Sequence, residues 1–226
     1  MSSELKVDTI SEKTTASGVT IDGVKLKDNA VETNTISEGT SGSGVTIDSV
    51  LLKDGIAHSG LVKIDDHDFS TSTSVTRDSV FSSTYDNYKI FINITGGSAT
   101  TVQCAFRLRA SSTSTTSNYG GHRNYVPSGG TATHGSAFGT TYFYLGDTDS
   151  GSTAATCTDI ILFAPNIAAP TKYIAHGQGF WGGNFYSQQI YGFQSDSTQF
   201  DGLEIYPFSP GGATITGNIQ IFGIKQ

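Results

Sequence analysis

The sequence predicts an all-β protein: a short, repeat-built N-terminal stem followed by a β-sandwich domain, jelly-roll-like in type. Three observations carry that expectation. Among 226 residues, 30 Thr, 28 Ser and 27 Gly together make 85, more than a third of the chain. Leu occurs 9 times and Met once, whereas Ile plus Val reach 30. That balance withholds the straight-chain residues helices favour and supplies the β-branched ones that suit strands. Beyond residue 87, apolar residues recur at alternate positions, the period of a half-buried strand. An all-helical protein and a coiled coil are excluded. Leu, Ile, Val and Phe total 52, about 23% of the chain, above the level at which disorder becomes the default.

The stem comes first in the chain. Thr9-Ile10-Ser11-Glu12 returns as Thr35-Ile36-Ser37-Glu38, and Ser17-Gly18-Val19-Thr20-Ile21-Asp22 returns as Ser43-Gly44-Val45-Thr46-Ile47-Asp48, each at an offset of 26 residues. In each unit a Val-Thr-Ile run meets a Val-x-Leu run across Asp22-Gly23 or Asp48-Ser49, and the first pair is a two-residue hairpin signal. Such a unit is too small to bury its own apolar face, and about three stacked repeats are needed for a stable array. Two repeats therefore point to identical copies around a symmetry axis. Residues 1–60 hold 5 Lys/Arg and 9 Asp/Glu, while 61–226 hold 8 and 11, and no aromatic residue precedes Phe69. The boundary is placed near Ala57-His58-Ser59-Gly60, giving a stem of 1–60 and a sandwich of 61–226.

In the second region Tyr88, Ile90, Ile92 and Ile94 alternate with Lys89, Phe91, Asn93 and Thr95, and Val102 to Arg109 alternates again. Further strands are expected over 140–146, 158–164, 172–178, 185–194, 202–207 and 214–224, punctuated by Gly-Gly pairs. Many short strands at this spacing argue a sandwich or jelly roll. The Ser/Thr/Gly-rich segment 110–139 reads as a long loop. Cys104 falls on the apolar face of its strand and reads as a buried thiol rather than a partner for Cys157.

A net charge of −7 gives no electrostatic footprint for nucleic acid, and no apolar run is long enough for a membrane helix. The first residues carry neither a basic nor an apolar signal region, which leads to an expectation of folding in a cytoplasm. A phosphate-binding loop needs a Gly-Lys pair, and none occurs; His-Glu-x-x-His and paired Cys-x-x-Cys are absent as well. Asp147-Thr148-Asp149-Ser150-Gly151 starts like a calcium loop but places its Gly one position early, so turn-forming Asp is expected. Asp65-Asp66-His67-Asp68 reads as a solvated turn. Glycan hydrolysis needs two carboxylates at a defined separation, and Asp201 with Glu204 is the nearest approach. Catalysis, a metal and a cofactor are therefore not expected.

Binding chemistry is better represented. His122-Arg123-Asn124-Tyr125, within the expected loop, has the side chains to read a hydroxylated or anionic glycan, or simply forms a polar loop. Trp181 and Asn184 stand in Gly179-Phe180-Trp181-Gly182-Gly183-Asn184-Phe185-Tyr186. There the indole is either a flat plate for a sugar face or core packing.

The units Val-Asp-Thr-Ile-Ser-Glu and Ser-Gly-Val-Thr-Ile-Asp-Gly-Val-x-Leu-Lys-Asp resemble the N-terminal parts of tail-fibre and other virion proteins of marine tailed phages, cyanophages especially. The C-terminal region resembles the β-sandwich tip of the same group. It does so through Tyr85-Asp86-Asn87-Tyr88-Lys89-Ile90 and the closing run Gly217-Asn218-Ile219-Gln220-Ile221-Phe222-Gly223-Ile224-Lys225. The resemblance implies a homotrimeric virion appendage assembled in the host cytoplasm. Its residues 1–60 would dock on tail or adaptor proteins of the particle, and its tip would meet a host-surface glycan or protein. His122, Arg123, Asn124, Tyr125, Trp181 and Asn184 are the receptor-binding candidates. A structural head fibre or adaptor without receptor binding is the first alternative, and a trimeric polysaccharide depolymerase the second.

Overall fold

The computed structural model describes residues 60–136, 141–150 and 155–224, together with Ser41 and short strands between 45 and 57. Among the described residues there is no helix. Three strands, β1 (Val45–Ile47), β2 (Val50–Lys53) and β3 (Ile56–Ala57), form a small sheet in the order β1-β2-β3. The second repeat thus pairs its Val-Thr-Ile and Val-x-Leu runs, as its sequence predicts; the first repeat lies outside the described residues.

The remaining strands are β4 (Leu61–Ser72), β5 (Val75–Arg77), β6 (Asn87–Gly97), β7 (Val102–Ala110), β8 (Thr113–Ser114), β9 (Tyr119–Pro127) and β10 (Thr133–Ser136). They continue with β11 (Phe143–Thr148), β12 (Thr156–Phe163), β13 (Thr171–Trp181), β14 (Asn184–Gln194), β15 (Gly202–Ser209) and β16 (Ile215–Ile224). One antiparallel sheet has eight strands in the order β10-β9-β14-β13-β12-β6-β16-β4. The other has β11-β7-β15-β5, with β8 paired to β7. The two share one core in a β-sandwich-like arrangement. Their strand number exceeds the eight of a jelly roll, and β12, β13 and β14 run as a meander.

The period-two pattern decides the faces. Tyr88, Ile90, Ile92 and Ile94 of β6 are buried, as are Ile160 and Leu162 of β12 and Ile215, Ile219 and Ile221 of β16. Facing them are Val102, Cys104, Phe106 and Leu108 of β7 with Leu203 and Ile205 of β15. An aromatic hub joins the sheets: the Phe143 ring lies 4.9 Å from Phe106, 4.7 Å from Tyr119 and 4.2 Å from Tyr173. The Tyr119 hydroxyl accepts from the Leu108 amide at 2.9 Å, tying β9 to β7.

Three expectations are corrected. Segment 110–139 is not one long loop, because β9 and β10 run through it. Gly120 reads in sequence as a turn residue but lies opposite Phe193. A Cβ there would stand 2.6 Å from that ring, so glycine lets the ring lie across the strand. Second, Asp65-Asp66-His67-Asp68 lies within β4, not in a turn; β4 is an edge strand, where charges hinder pairing with a further chain. Third, Asp147 and Thr148 are not turn residues: they belong to β11 and are buried.

Cys104 is a buried free thiol of β7, and Cys157 is an exposed free thiol on the outer face of β12. Burial pushes the Cys104 thiol pKa well above its ordinary value, so it resists thiolate chemistry. A thiol reagent applied to the native protein should therefore titrate one cysteine, and two after denaturation without reductant. Two native equivalents would contradict the packing around Cys104.

Candidate functional site

The outward-facing side chains of the eight-stranded sheet form transverse rows, because each strand pairs in register with its neighbours. One row runs Asn124, Gln189, His176, Asp159, Phe91, Gln220 and Asp66 from β9 to β4. The next runs Val126, Ser187, Gln178, Cys157, Asn93, Asn218 and Asp68. Between them lies an open groove of ≈ 860 Å³. Among the described residues its lining holds one carboxylate, Asp159, and no Lys or Arg.

Hydrogen bonding divides the groove into three parts. At the β16 end, Asn218 Nδ2 donates to Asp66 at 3.0 Å and Asp68 at 2.8 Å, and Gln220 Nε2 donates to Asp66 at 3.1 Å. At the β9 end, Asn124 Oδ1 meets His122 Nε2 and His134 Nδ1, each at 2.8 Å. In the middle, the side chains of Asn93, His176, Gln178 and Ser187 have no hydrogen-bond partner among the described residues, and all four are exposed. Amide, imidazole and hydroxyl groups together donate and accept, which matches polyols. Lys89 is ion-paired to Asp159 and lies 5.3 Å from the exposed Phe91 ring.

Asp66 is held down to about 2, first by the hydrogen bond from Asn218, then by those from Lys63 and Gln220. Its folded pKa lies below the ordinary carboxylate value. Any stability it contributes is therefore present above about pH 4 and is lost as pH falls toward 2. Asn218→Ala should raise the Asp66 titration toward its ordinary value by NMR; an unmoved titration would refute the assignment to Asn218.

The six receptor-binding candidates occupy four places. His122 to Tyr125 lie on β9, not in a loop, and alternate across the sheet. Asn124 and Tyr125 line the groove. His122 lines a neighbouring apolar depression of ≈ 840 Å³ walled by Phe163, Ile174, Tyr191 and Phe193. Arg123 is only 9% exposed and points between the sheets. There its guanidinium lies 4.6, 4.5 and 4.8 Å from the rings of Tyr125, Tyr144 and Tyr186. Its Nη1 donates to the Tyr144 hydroxyl at 3.0 Å, and its Nη2 lies 3.5 Å from Asp147 Oδ2. The expectation that Arg123 meets a ligand from a surface loop is corrected: it is an interior ion-pair partner.

Trp181 and Asn184 bracket the turn of the β13–β14 hairpin, whose central Gly182 and Gly183 have φ of 57° and 78°. Positive φ at both positions is the type I′ geometry that suits hairpin twist and favours glycine. The Gly183 amide donates to Asp149 Oδ2 at 2.8 Å, and the Gly182 amide to Thr101 Oγ1 at 3.2 Å. Trp181 is 53% exposed, so the core-packing reading is overturned. Trp181→Ala should change the unfolding free energy by less than about 0.5 kcal/mol, as at other exposed positions. A loss of about 3–5 kcal/mol, typical of a core aromatic, would contradict this placement.

Of the acidic candidates, Glu204 accepts from Ser74 Oγ at 2.7 Å and Ser114 Oγ at 2.6 Å, and Asp201 accepts from the Ser111 amide at 3.3 Å. Among the described residues no cluster of three metal-ligating side chains occurs. Sequence reasoning missed Asn93, His176, Gln178, Ser187 and Gln189. The available signal was the alternation itself, which puts polar residues of β6, β13 and β14 on one face. Comparisons with protein-family models, with curated proteins and with solved structures find no match to this chain.

Proposed function

We propose that this protein is an adhesion module of a phage appendage, binding a hydroxylated host-surface ligand in the transverse groove of its eight-stranded sheet. The observation that carries the binding reading is the set of four exposed polar side chains at the groove's middle, Asn93, His176, Gln178 and Ser187, none with a hydrogen-bond partner among the described residues. Sites that fix polyols combine such convergent polar groups with an apolar plate, and Phe91 supplies the plate beside them.

Binding rather than hydrolysis is supported by the carboxylates. Acid and base work on a glycan needs two carboxyl groups flanking the scissile bond. Among the described residues Asp159 is the only carboxylate in the groove lining, and Lys89 neutralises it.

The appendage reading rests on the 26-residue repeats and the resemblance of both chain ends to virion fibre proteins. Residues 1–60 dock on the particle, and three copies associate. Weak sites on three tips then act together, because tethering raises effective concentration and gives about 10²–10⁴-fold avidity. Light scattering of the full chain should return a trimer mass; a monomer would remove the avidity mechanism.

The ligand reading is tested by binding of the full chain to an array of bacterial envelope polysaccharides. The Asn93→Ala/Gln178→Ala variant should lose at least tenfold in binding at unchanged melting temperature. Release of reducing ends would instead favour a depolymerase, and absence of all binding would favour a purely structural virion component.

A further inference from the structure

We infer that the groove takes an uncharged polysaccharide in extended form, laid across the strands with several sugar units bound at once, and rejects anionic chains. This deepens the adhesion reading and rests on it.

The direction comes from the register. The two rows are perpendicular to the strands, and the part of them that lines the groove crosses six strands, β9, β14, β13, β12, β6 and β16. Neighbouring strands lie about 4.8 Å apart, so the crossing is about 24 Å long. Each strand contributes one side chain per row, so polar groups recur at a short, regular interval along the groove. A single sugar fills a fraction of that length. A chain of similar units repeats its hydroxyls in step with the rows.

The charge selection comes from what the ends already hold. Among the described residues no Lys or Arg lines the groove, and the adjacent Lys89 is paired to Asp159. An anionic unit therefore finds no unpaired Lys or Arg among the described residues of the groove. At the β16 end, Asp66 and Asp68 engage the amide nitrogens of Asn218 and Gln220. Their carbonyl oxygens remain as acceptors, backed by two carboxylates that repel anions. At the β9 end the reverse holds: Asn124 Oδ1 is occupied by two histidines, which leaves its Nδ2 as a donor. The groove is thus acceptor-rich at one end and offers a donor at the other. Hydroxyl groups satisfy both ends because each donates and accepts. Carboxylate or sulfate groups only accept and carry charge, so they fail at the acceptor end.

The test uses the full chain on an array of bacterial envelope polysaccharides, neutral and uronate-containing, followed by size-graded oligosaccharides prepared from a neutral binder. Neutral polysaccharides should bind, and uronate-containing ones should bind at least tenfold more weakly. Affinity should rise at least tenfold between two and five units and then level off. Raising NaCl from about 50 to 500 mM should change it by less than twofold, since an uncharged ligand offers no charge to screen. Stronger binding of anionic chains, marked salt dependence, or affinity that stops growing at two units would overturn this inference while the adhesion reading stands. No binding by any polysaccharide on the array would overturn both.

Discussion

Replacing Arg123 with alanine is expected to lower the unfolding free energy by about 3–5 kcal/mol, the cost of removing one partner of a buried ion pair. Asp147 is only 1% exposed. Without the guanidinium it keeps the Tyr186 hydroxyl, which donates to Oδ2 at 2.8 Å, but has lost the positive charge facing it. Three tyrosine rings also lose the planar cation they enclose. Lysine should not restore stability, because a point charge on a flexible stem cannot stack as guanidinium does. The melting temperature should fall by on the order of 10 °C, using the usual conversion for a domain of this size. Adding Asp147→Asn to Arg123→Ala should recover part of the loss, since the uncompensated carboxylate is gone. A decrease below about 1 kcal/mol in the single variant would show that Arg123 is not the interior partner described.

Phe143→Ala should cost about 3–5 kcal/mol, as expected when a large ring leaves a well-packed core. Its ring is fully buried and meets Phe106 from its own sheet and Tyr119 and Tyr173 from the other. The cavity therefore opens between the two sheets, where neither backbone can close without shifting eight or five strands. Phe143→Leu, which keeps most of the volume, should cost much less. Chemical denaturation of the two variants measures both; equal losses would point to a site that collapses freely.

Most of the sandwich was legible because its strands carry their burial in alternation. The runs expected over 88–94, 102–109, 158–164, 185–194 and 214–224 coincide with β6, β7, β12, β14 and β16 to within a few residues. β9 was hidden because Gly120, Gly121 and Pro127 are turn residues in sequence, and only the facing Phe193 explains why a glycine belongs in that strand. β4 was hidden because three Asp beside a His look solvated, and nothing local reveals that β16 supplies Asn218 and Gln220 opposite them.

The site was legible in kind but not in place. Asn124 lines the groove, whereas Arg123 beside it faces the interior, as alternation along one strand requires. The rest of the groove comes from β6, β12, β13, β14 and β16, residues spread from 91 to 220. Only strand register brings them into two rows, and register between distant strands is not written in any local window. Trp181 was ambiguous for a related reason: an indole at a hairpin tip and one in a core have the same sequence neighbours.

Cys157 offers the most direct measurement of the groove's role. It lies in the groove floor between Asn93 and Gln178, and its thiol is exposed while that of Cys104 is buried. A bulky maleimide therefore adds to Cys157 alone in the native protein and fills the space between the two polar rows. Binding of the full chain to the polysaccharide array, measured before and after capping, should fall to background while the melting temperature stays unchanged. Capped protein that binds as well as uncapped protein would contradict a ligand site in this groove.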